Sequence, residues 1–199
     1  MKTINYNIAL FSYWAIGSGT GQGKGLDSVL LKDDNNLPFI PGKTLKGLLR
    51  DAAVECDAKN INLLFGKATD NKDMDDEEAK EEKNADIDNT GILNFNNAYL
   101  PKEEYNFLKA NPKYINGLYD TKMATRLKNK QTVKGSLRKI EVCIPVTLEA
   151  SIESDDQLDE TQQKTLTDAF NMLRLLGEKR YRGMGRCKLT KNTDSNGNN

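Results

Sequence analysis

From Ile140 to Ile152 every second residue is apolar, with Ile140, Val142, Ile144, Val146 and Leu148 on one side. A period-two run of this kind is the mark of a strand with one buried face. The fold therefore needs a sheet and an apolar layer to cover it. The N-terminal stretch repeats the pattern: Ile4, Tyr6, Ile8 and Leu10 alternate with Asn5, Asn7 and Ala9, in a strand running to about Tyr13 and Trp14. Two helical stripes supply the cover. Leu45, Leu48, Leu49, Ala52 and Cys56 share one face of a helix predicted from about Leu45 to Ala58. Leu166, Ala169, Phe170, Leu173 and Leu176 share one face of a second helix, which follows the acidic turn Asp155 to Glu160.

Shorter signals fill the intervals. Ser28 to Lys32 reads as a short strand or extended arm, stopped by the turn cluster Asp33 to Asn36. Leu63, Leu64 and Phe65 form an apolar anchor stopped by Gly66. Gly91 to Leu100 has strand character, Pro101 suits the first position of a short helix through Tyr105, and Cys187 to Thr190 is a last strand. The resulting order is β, α, β, β, α, β. We expect an α+β fold of the ferredoxin-like, RRM-like kind, although the aromatic consensus of RNA-recognition modules is missing from the strands.

The chain has 199 residues, of which 37% are hydrophobic, enough for one domain over residues 1–191. Residues 67–89 are charged and almost free of large apolar side chains, and read as a solvated acidic insertion. Residues 117–140 contain a basic segment, read as an exposed hairpin or arm feeding the strand at Ile140, or as a disordered cationic loop, and residues 192–199 read as a disordered polar tail.

Lys plus Arg and Asp plus Glu balance at 29 each, but the charges are segregated. Asp70 to Asp88 is dominated by acids, whereas from Thr121 to Lys139 every charge is positive: Lys122, Arg126, Lys128, Lys130, Lys134, Arg138 and Lys139. Local fields can steer an anion even in a neutral chain. The 3 cysteines (Cys56, Cys143, Cys187) have no CxxC spacing and there are 0 histidines, which argues against a zinc site, a disulfide framework and His-assisted nucleophilic catalysis. The cysteines read as small buried hydrophobes. No apolar run is long enough to span a bilayer, and the expectation is a cytoplasmic protein with no membrane partner.

Gly17, Gly19, Gly21, Gly23 and Gly25 alternate in a run that ends at Asp27, and Gly42-Lys43-Thr44 opens the first helix. Both stretches invite a P-loop reading, which needs glycine, four residues, then Gly-Lys-Ser/Thr. The required upstream glycine is Leu37 in one case and Ser18 in the other, so both fail. The dinucleotide fingerprint fails as well, at Gln22 and Lys24. What remains is a basic, glycine-rich set. Lys43, Lys46 and Arg50 share a helix face near an N-terminus whose free N–H groups favour anions, or form an ordinary solvated face. Arg180, Tyr181, Arg182 and Arg186 lie in a basic glycine loop with one aromatic for stacking, or in a solvated turn. Asp27, by its chemistry alone, is first an ordinary loop aspartate closing an Asx-turn.

The segment Leu37 to Arg50 (LPFIPGKTLKGLLR) resembles the PYIPGSSLKGxxR segment of RAMP-superfamily CRISPR proteins, the crRNA-binding backbone subunits of type III effector complexes. Four further stretches agree in order: Leu64-Phe65-Gly66; Gly91 to Leu100, similar to RLxFxDAYL; Gly135 to Ile144 after the basic arm; and Gly177 to Arg186, similar to GGxRSRGxGR. Asn97 stands where the family often has aspartate, and Glu178 interrupts a glycine pair; both departures are expected to leave the segment around Asp27 untouched.

The resemblance implies roles. Asp27 occupies the place of the aspartate that supports metal-dependent target cleavage in catalytic family members, with Mg²⁺ or another divalent cation as loosely held cofactor. Gly19, Gly21, Lys24, Lys43, Thr44, Lys46, Arg50, Arg180, Arg182 and Arg186 would grip RNA. The arm with Arg126, Lys128, Lys130, Lys134 and Arg138 would be the thumb that wedges into the guide-target duplex and splays a nucleotide. Implied partners are crRNA, target RNA, copies of the chain or related RAMP subunits in a filament, and other type III subunits. Two alternatives stay open: a non-catalytic crRNA-binding scaffold, and a stand-alone RAMP endoribonuclease that processes guide precursors.

Overall fold

The computed structural model describes residues 1–17, 28–67, 90–125, 127–128, 131–132 and 137–192, with the backbone alone at 124, 127–128 and 131–132. Strand β1 (Lys2–Leu10) realises the N-terminal alternation: Tyr6, Ile8 and Leu10 are buried, while Asn5, Asn7 and Ala9 face the other way. It lies inside a four-stranded sheet with β2 (Asn94–Phe95), β7 (Thr147–Ser154) and β8 (Cys187–Lys191), in the order β2-β7-β1-β8, and every pairing is antiparallel. Register is set by the apolar face, because a slip of one residue would turn it to solvent. Ile8 pairs with Leu148 on one side and Leu189 on the other.

Helices α1 (Gly42–Glu55) and α4 (Glu160–Met172) cover that face. Leu45, Leu49, Ala52 and Ala53 of α1 and Leu166, Ala169 and Phe170 of α4 are buried, and the Tyr6 ring sits 4.9 Å from that of Phe170. Burying such side chains stabilises by about 1.5 to 3 kcal/mol each before entropy is counted. In chain order the main sheet and its helices read β1, α1, β2, β7, α4, β8, a mixed α/β arrangement. The opposite face of the sheet carries Asn5, Asn7, Glu149, Ser151, Lys188 and Thr190, with no aromatic among them.

Several boundaries differ from expectation for local reasons. The best-patterned strand is two: β6 (Arg138–Cys143) and β7, separated at Ile144 to Val146, where Pro145 supplies no N–H to a ladder. β6 pairs with β3 (Tyr119–Ala124) outside the main sheet, and β4 (Leu127–Lys128) pairs with β5 (Gln131–Thr132), which makes the basic arm a hairpin. Helix α1 starts three residues earlier than the apolar stripe suggests and ends at Glu55, shortly before Asp57 takes a left-handed φ of 48°. Pro101 is the N-cap of α3 (Lys102–Ala110), extended at φ −49° and ψ 141°, rather than its first helical residue. Leu173 and Leu176 are buried, but lie beyond the end of α4.

Two further elements are α2 (Ile61–Phe65) and a 3-10 helix over Pro112–Leu118. Gly66 ends α2 at φ 83°, as expected of a stop. Cys143 and Cys187 are buried and Cys56 partly so, all as free thiols. No described helix is long and apolar enough to cross a membrane. The acidic insertion, apart from Lys67, and all of the tail except Asn192 lie outside the described residues.

Candidate nucleic-acid interface

Three stretches far apart in sequence meet at the two ends of the glycine-rich run. At its base the run closes on itself: Gly17 bridges Leu30, and the Leu31 N–H donates to Ile16 O at 2.7 Å. Beyond Ser28 the chain is tied to the hairpin. Ser28 bridges Ile140, Glu141 N donates to Ser28 O at 3.1 Å, and Lys32 pairs with the Glu141 carboxylate at 2.8 Å while its ammonium lies 3.9 Å from the centre of the Tyr119 ring. The hairpin is tied in turn to Trp14, which bridges Cys143 and donates through Nε1 to Ile144 O at 3.1 Å.

The third stretch is the loop from Gly177 to Arg186. Glu178 N donates to Ala15 O at 2.8 Å, Gly185 N to Tyr13 O at 2.8 Å, and Phe11 N to Arg186 O at 2.8 Å. This apposition, and the closure of the loop on its own start at Leu176, explain two glycines. A Cβ on Gly177 would stand 2.4 Å from Ala15 O, and one on Gly185 would stand 1.8 Å from Leu176 O, both at positive φ (83° and 70°). The same loop presents a short 3-10 turn, Arg180–Arg182, with Tyr181 84% exposed and the Arg180 guanidinium 5.2 Å from its ring centre. Arg182 and Arg186 are exposed, Arg180 partly so. A cation and an open aromatic face side by side suit a base and its phosphate.

The sequence profile of the RAMP superfamily matches residues 7–188. The chain belongs to the RAMP superfamily. Its fold is similar to that of a chain in the cryo-EM structure of type III-B Cmr-beta bound to cognate target RNA, with a TM-score of 0.69 at 11% identity over 96% of this chain and 97% of that one. A Cmr-beta chain in the apo state gives a TM-score of 0.64 at 10% identity, over 96% and 98%. None of the curated proteins compared with the chain matches it.

In this RAMP chain the two departures from the family pattern are structural. The Glu178 carboxylate accepts a hydrogen bond from Ser28 Oγ, 3.2 Å from one oxygen and 3.4 Å from the other, and reaches where a Gly17 Cβ would be, 2.0 Å away. Glu178 therefore holds the Ser28 end of the glycine-rich run through its carboxylate and the other end through its N–H to Ala15 O, contrary to the expectation that it stands apart. Asn97 Oδ1 accepts from Gly42 N at 2.9 Å, and Asn97 Nδ2 donates to the Tyr99 hydroxyl at 2.9 Å. The first N–H of α1 is thus occupied by a side chain, where the sequence suggested a vacant anion site.

The RAMP helix cations divide. Lys43 is exposed and Thr44 partly buried. Lys46 Nζ donates to Thr90 O at 2.6 Å and Leu93 O at 3.0 Å, and burial holds its pKa below the ordinary lysine value. Arg50 donates through Nε to Gly66 O at 3.1 Å and through Nη2 to Asn62 Oδ1 at 3.3 Å. Both clasp the chain on either side of residues 68–89 instead of turning to the loop that Glu178 holds. Arg138 is exposed at the base of the hairpin. Asp27, Gly19, Gly21, Lys24, Arg126, Lys130 and Lys134 lie outside the described residues, as does the side chain of Lys128. Among the described residues no group of three or more His, Cys, Asp or Glu side chains is placed to hold a metal ion.

Sequence reading missed Glu178, Asn97, Lys32 and Glu141. The only available signal was their departure from, or position beside, the family motifs.

Proposed function

We propose that this RAMP protein is a backbone subunit of a type III CRISPR effector that binds crRNA and cleaves the paired target RNA at regular intervals. The observation that carries the reading is the convergence of the glycine-run ends, the Gly177 to Arg186 loop and the base of the basic hairpin on one place, held by Glu178 and Glu141. The order β2-β7-β1-β8 around two covering helices supports a ferredoxin-like reading of the fold. The open face of that sheet carries polar side chains on its strands, with Tyr99 only at one edge beside Glu149, which favours gripping RNA with loops rather than with bases stacked on the strands.

In this reading Lys43, Arg180, Arg182 and the hairpin cations hold phosphates, and guide pairing supplies sequence specificity. The hairpin splays a nucleotide of the target so that its 2′-OH lines up with the adjacent phosphate. Asp27, next to Ser28 in sequence, takes the 2′-OH proton as the 2′-oxygen bonds to phosphorus and the bond to the 5′-oxygen breaks, that oxygen leaving with a proton from water. A divalent cation would supply charge stabilisation at the phosphate. The Glu178 carboxylate and the hydroxyl of Ser28, the residue that follows Asp27 in sequence, are oxygen donors of the hard type that Mg²⁺ takes.

One assay tests the proposal. The assembled complex is given labelled target RNA and labelled guide precursor, with and without Mg²⁺, using wild type and Asp27→Ala. The expected result is evenly spaced target cuts that need Mg²⁺ and disappear in Asp27→Ala, with guide and target binding retained. Target RNA cut equally by Asp27→Ala would overturn the catalytic assignment, bound but uncut target would reduce the chain to a scaffold, and cutting of the precursor alone would make it a processing enzyme.

A further inference from the structure

Away from that interface, a cavity of about 490 Å³ opens between the turn after Lys32, the residues that follow β2, and the start of α3. Its walls are aromatic and fixed. Tyr99 stacks on Phe39 with centroids 5.6 Å apart and meets Tyr105 edge-on at 6.2 Å and 86°. The Tyr105 hydroxyl donates to Asp33 Oδ2 at 2.7 Å and accepts from Asn35 Nδ2 at 2.7 Å. Asp33 Oδ1 is itself held by the backbone N–H groups of Asn35 and Leu37, at 2.8 and 2.9 Å, so neither wall ring needs to be ordered by a ligand.

The mouth is acidic. Asp34 and Glu149 line it, are exposed, and have no hydrogen bond or ion pair through their carboxylates among the described residues. Among the described residues Lys102 is the one cation on the lining. Fixed ring faces beside unpaired carboxylates attract a cation and repel phosphate. A planar guanidinium gains most, because it can lie on a ring and meet a carboxylate with two N–H groups, which an ammonium does not match.

We propose that this cavity is a receptor for an arginine side chain presented by a partner protein, and so a protein-docking surface separate from the nucleic-acid interface. The probe is the capped tripeptide acetyl-Gly-Arg-Gly-amide, titrated into the isotope-labelled full chain and followed by amide chemical shifts. The expected result is saturating shifts confined to Asp33 to Asn36, Tyr99 to Tyr105 and Glu149, with a Kd in the millimolar range. The neutral citrulline analogue and Glu149→Gln with Asp34→Asn should each weaken binding about fivefold or more, while Lys102→Met tightens it about twofold. Both substituted acids are exposed, and an unchanged spectrum away from the cavity confirms that the variant is folded. Absence of shifts up to about 50 mM peptide, equal binding of the citrulline analogue, or the same shifts produced by a short RNA would each overturn the proposal.

Discussion

Glu178 reaches across 150 residues of chain to accept a hydrogen bond from Ser28 Oγ at 3.2 Å. The bond joins the basic glycine loop to the residue that follows Asp27, and Gly17 has no side chain at the point where the carboxylate passes. Glu178→Ala should leave the sheet and its helices intact while speeding hydrogen exchange at Leu30 and Leu31, whose amides are held by Glu141 and Ile16. Target cleavage should fall more than guide binding, since only the Ser28 end of the run is released while the backbone bond to Ala15 O stays. Unchanged exchange at both amides would show that the carboxylate holds nothing.

Gly185 and Gly183 share a left-handed backbone but not their surroundings. At Gly185 a Cβ would meet backbone oxygen, Leu176 O, at 1.8 Å; at Gly183 nothing lies within 4 Å. Gly183→Ala should therefore lose only the left-handed penalty, about 1 kcal/mol. Gly185→Ala should lose about 3 kcal/mol or more, because main chain must shift. Urea denaturation of the two variants reads the difference directly.

Lys46 and Lys43 sit one turn apart on α1 with different surroundings. Lys46→Met leaves Thr90 O and Leu93 O without their donor and should destabilise by about 1 to 2 kcal/mol. Lys43→Ala, at an exposed position, should leave stability within about 0.5 kcal/mol while lowering the salt dependence of RNA binding. Paired denaturation and salt-titrated binding curves check both halves. An equal stability loss in the two variants would remove the distinction.

Burial pushes the thiols of Cys143 and Cys187 up from 9.0 to about 12. Native protein at pH 8 should react with iodoacetamide at Cys56 alone, and at all 3 cysteines in urea. The sign of the pH effect on folding follows from the same shift. Above about pH 9 the unfolded chain releases thiol protons that the native chain retains, so stability falls as pH rises to about 12, by about 1.4 kcal/mol per pH unit for each thiol. Burial raises the phenols of Tyr6 and Tyr119 in the same direction. Denaturation midpoints should change little near pH 8 and decline steadily from about pH 9 to about pH 11.

How far the sequence reached depended on the range of the forces involved. The alternation at Ile4 to Leu10 and the stripe at Leu45, Leu48, Leu49 and Ala52 were legible because burial of one face imposes a period on neighbouring residues. The basic hairpin was legible because a charge run with few core candidates has to lie outside the core. Pro145 was visible too, but whether one interrupted run makes one strand or two depends on which partners its halves find, and β6 pairs with β3 while β7 pairs with β1.

Local sequence thus determined the elements, their buried faces, the rejection of nucleotide-binding motifs by spacing, and the set of motifs that resembles the RAMP pattern. Tertiary structure alone decided which polar side chains meet. Lys46 and Arg50 read as phosphate ligands when only their helix face is known, and turn out to bind carbonyls on either side of residues 68–89. Glu178 reads as a blemish in a glycine loop, and holds the ends of the run that contains Asp27. A hydrogen bond between residues 150 positions apart leaves no periodicity in the chain, because its partners are chosen by the packing of the sheet between them.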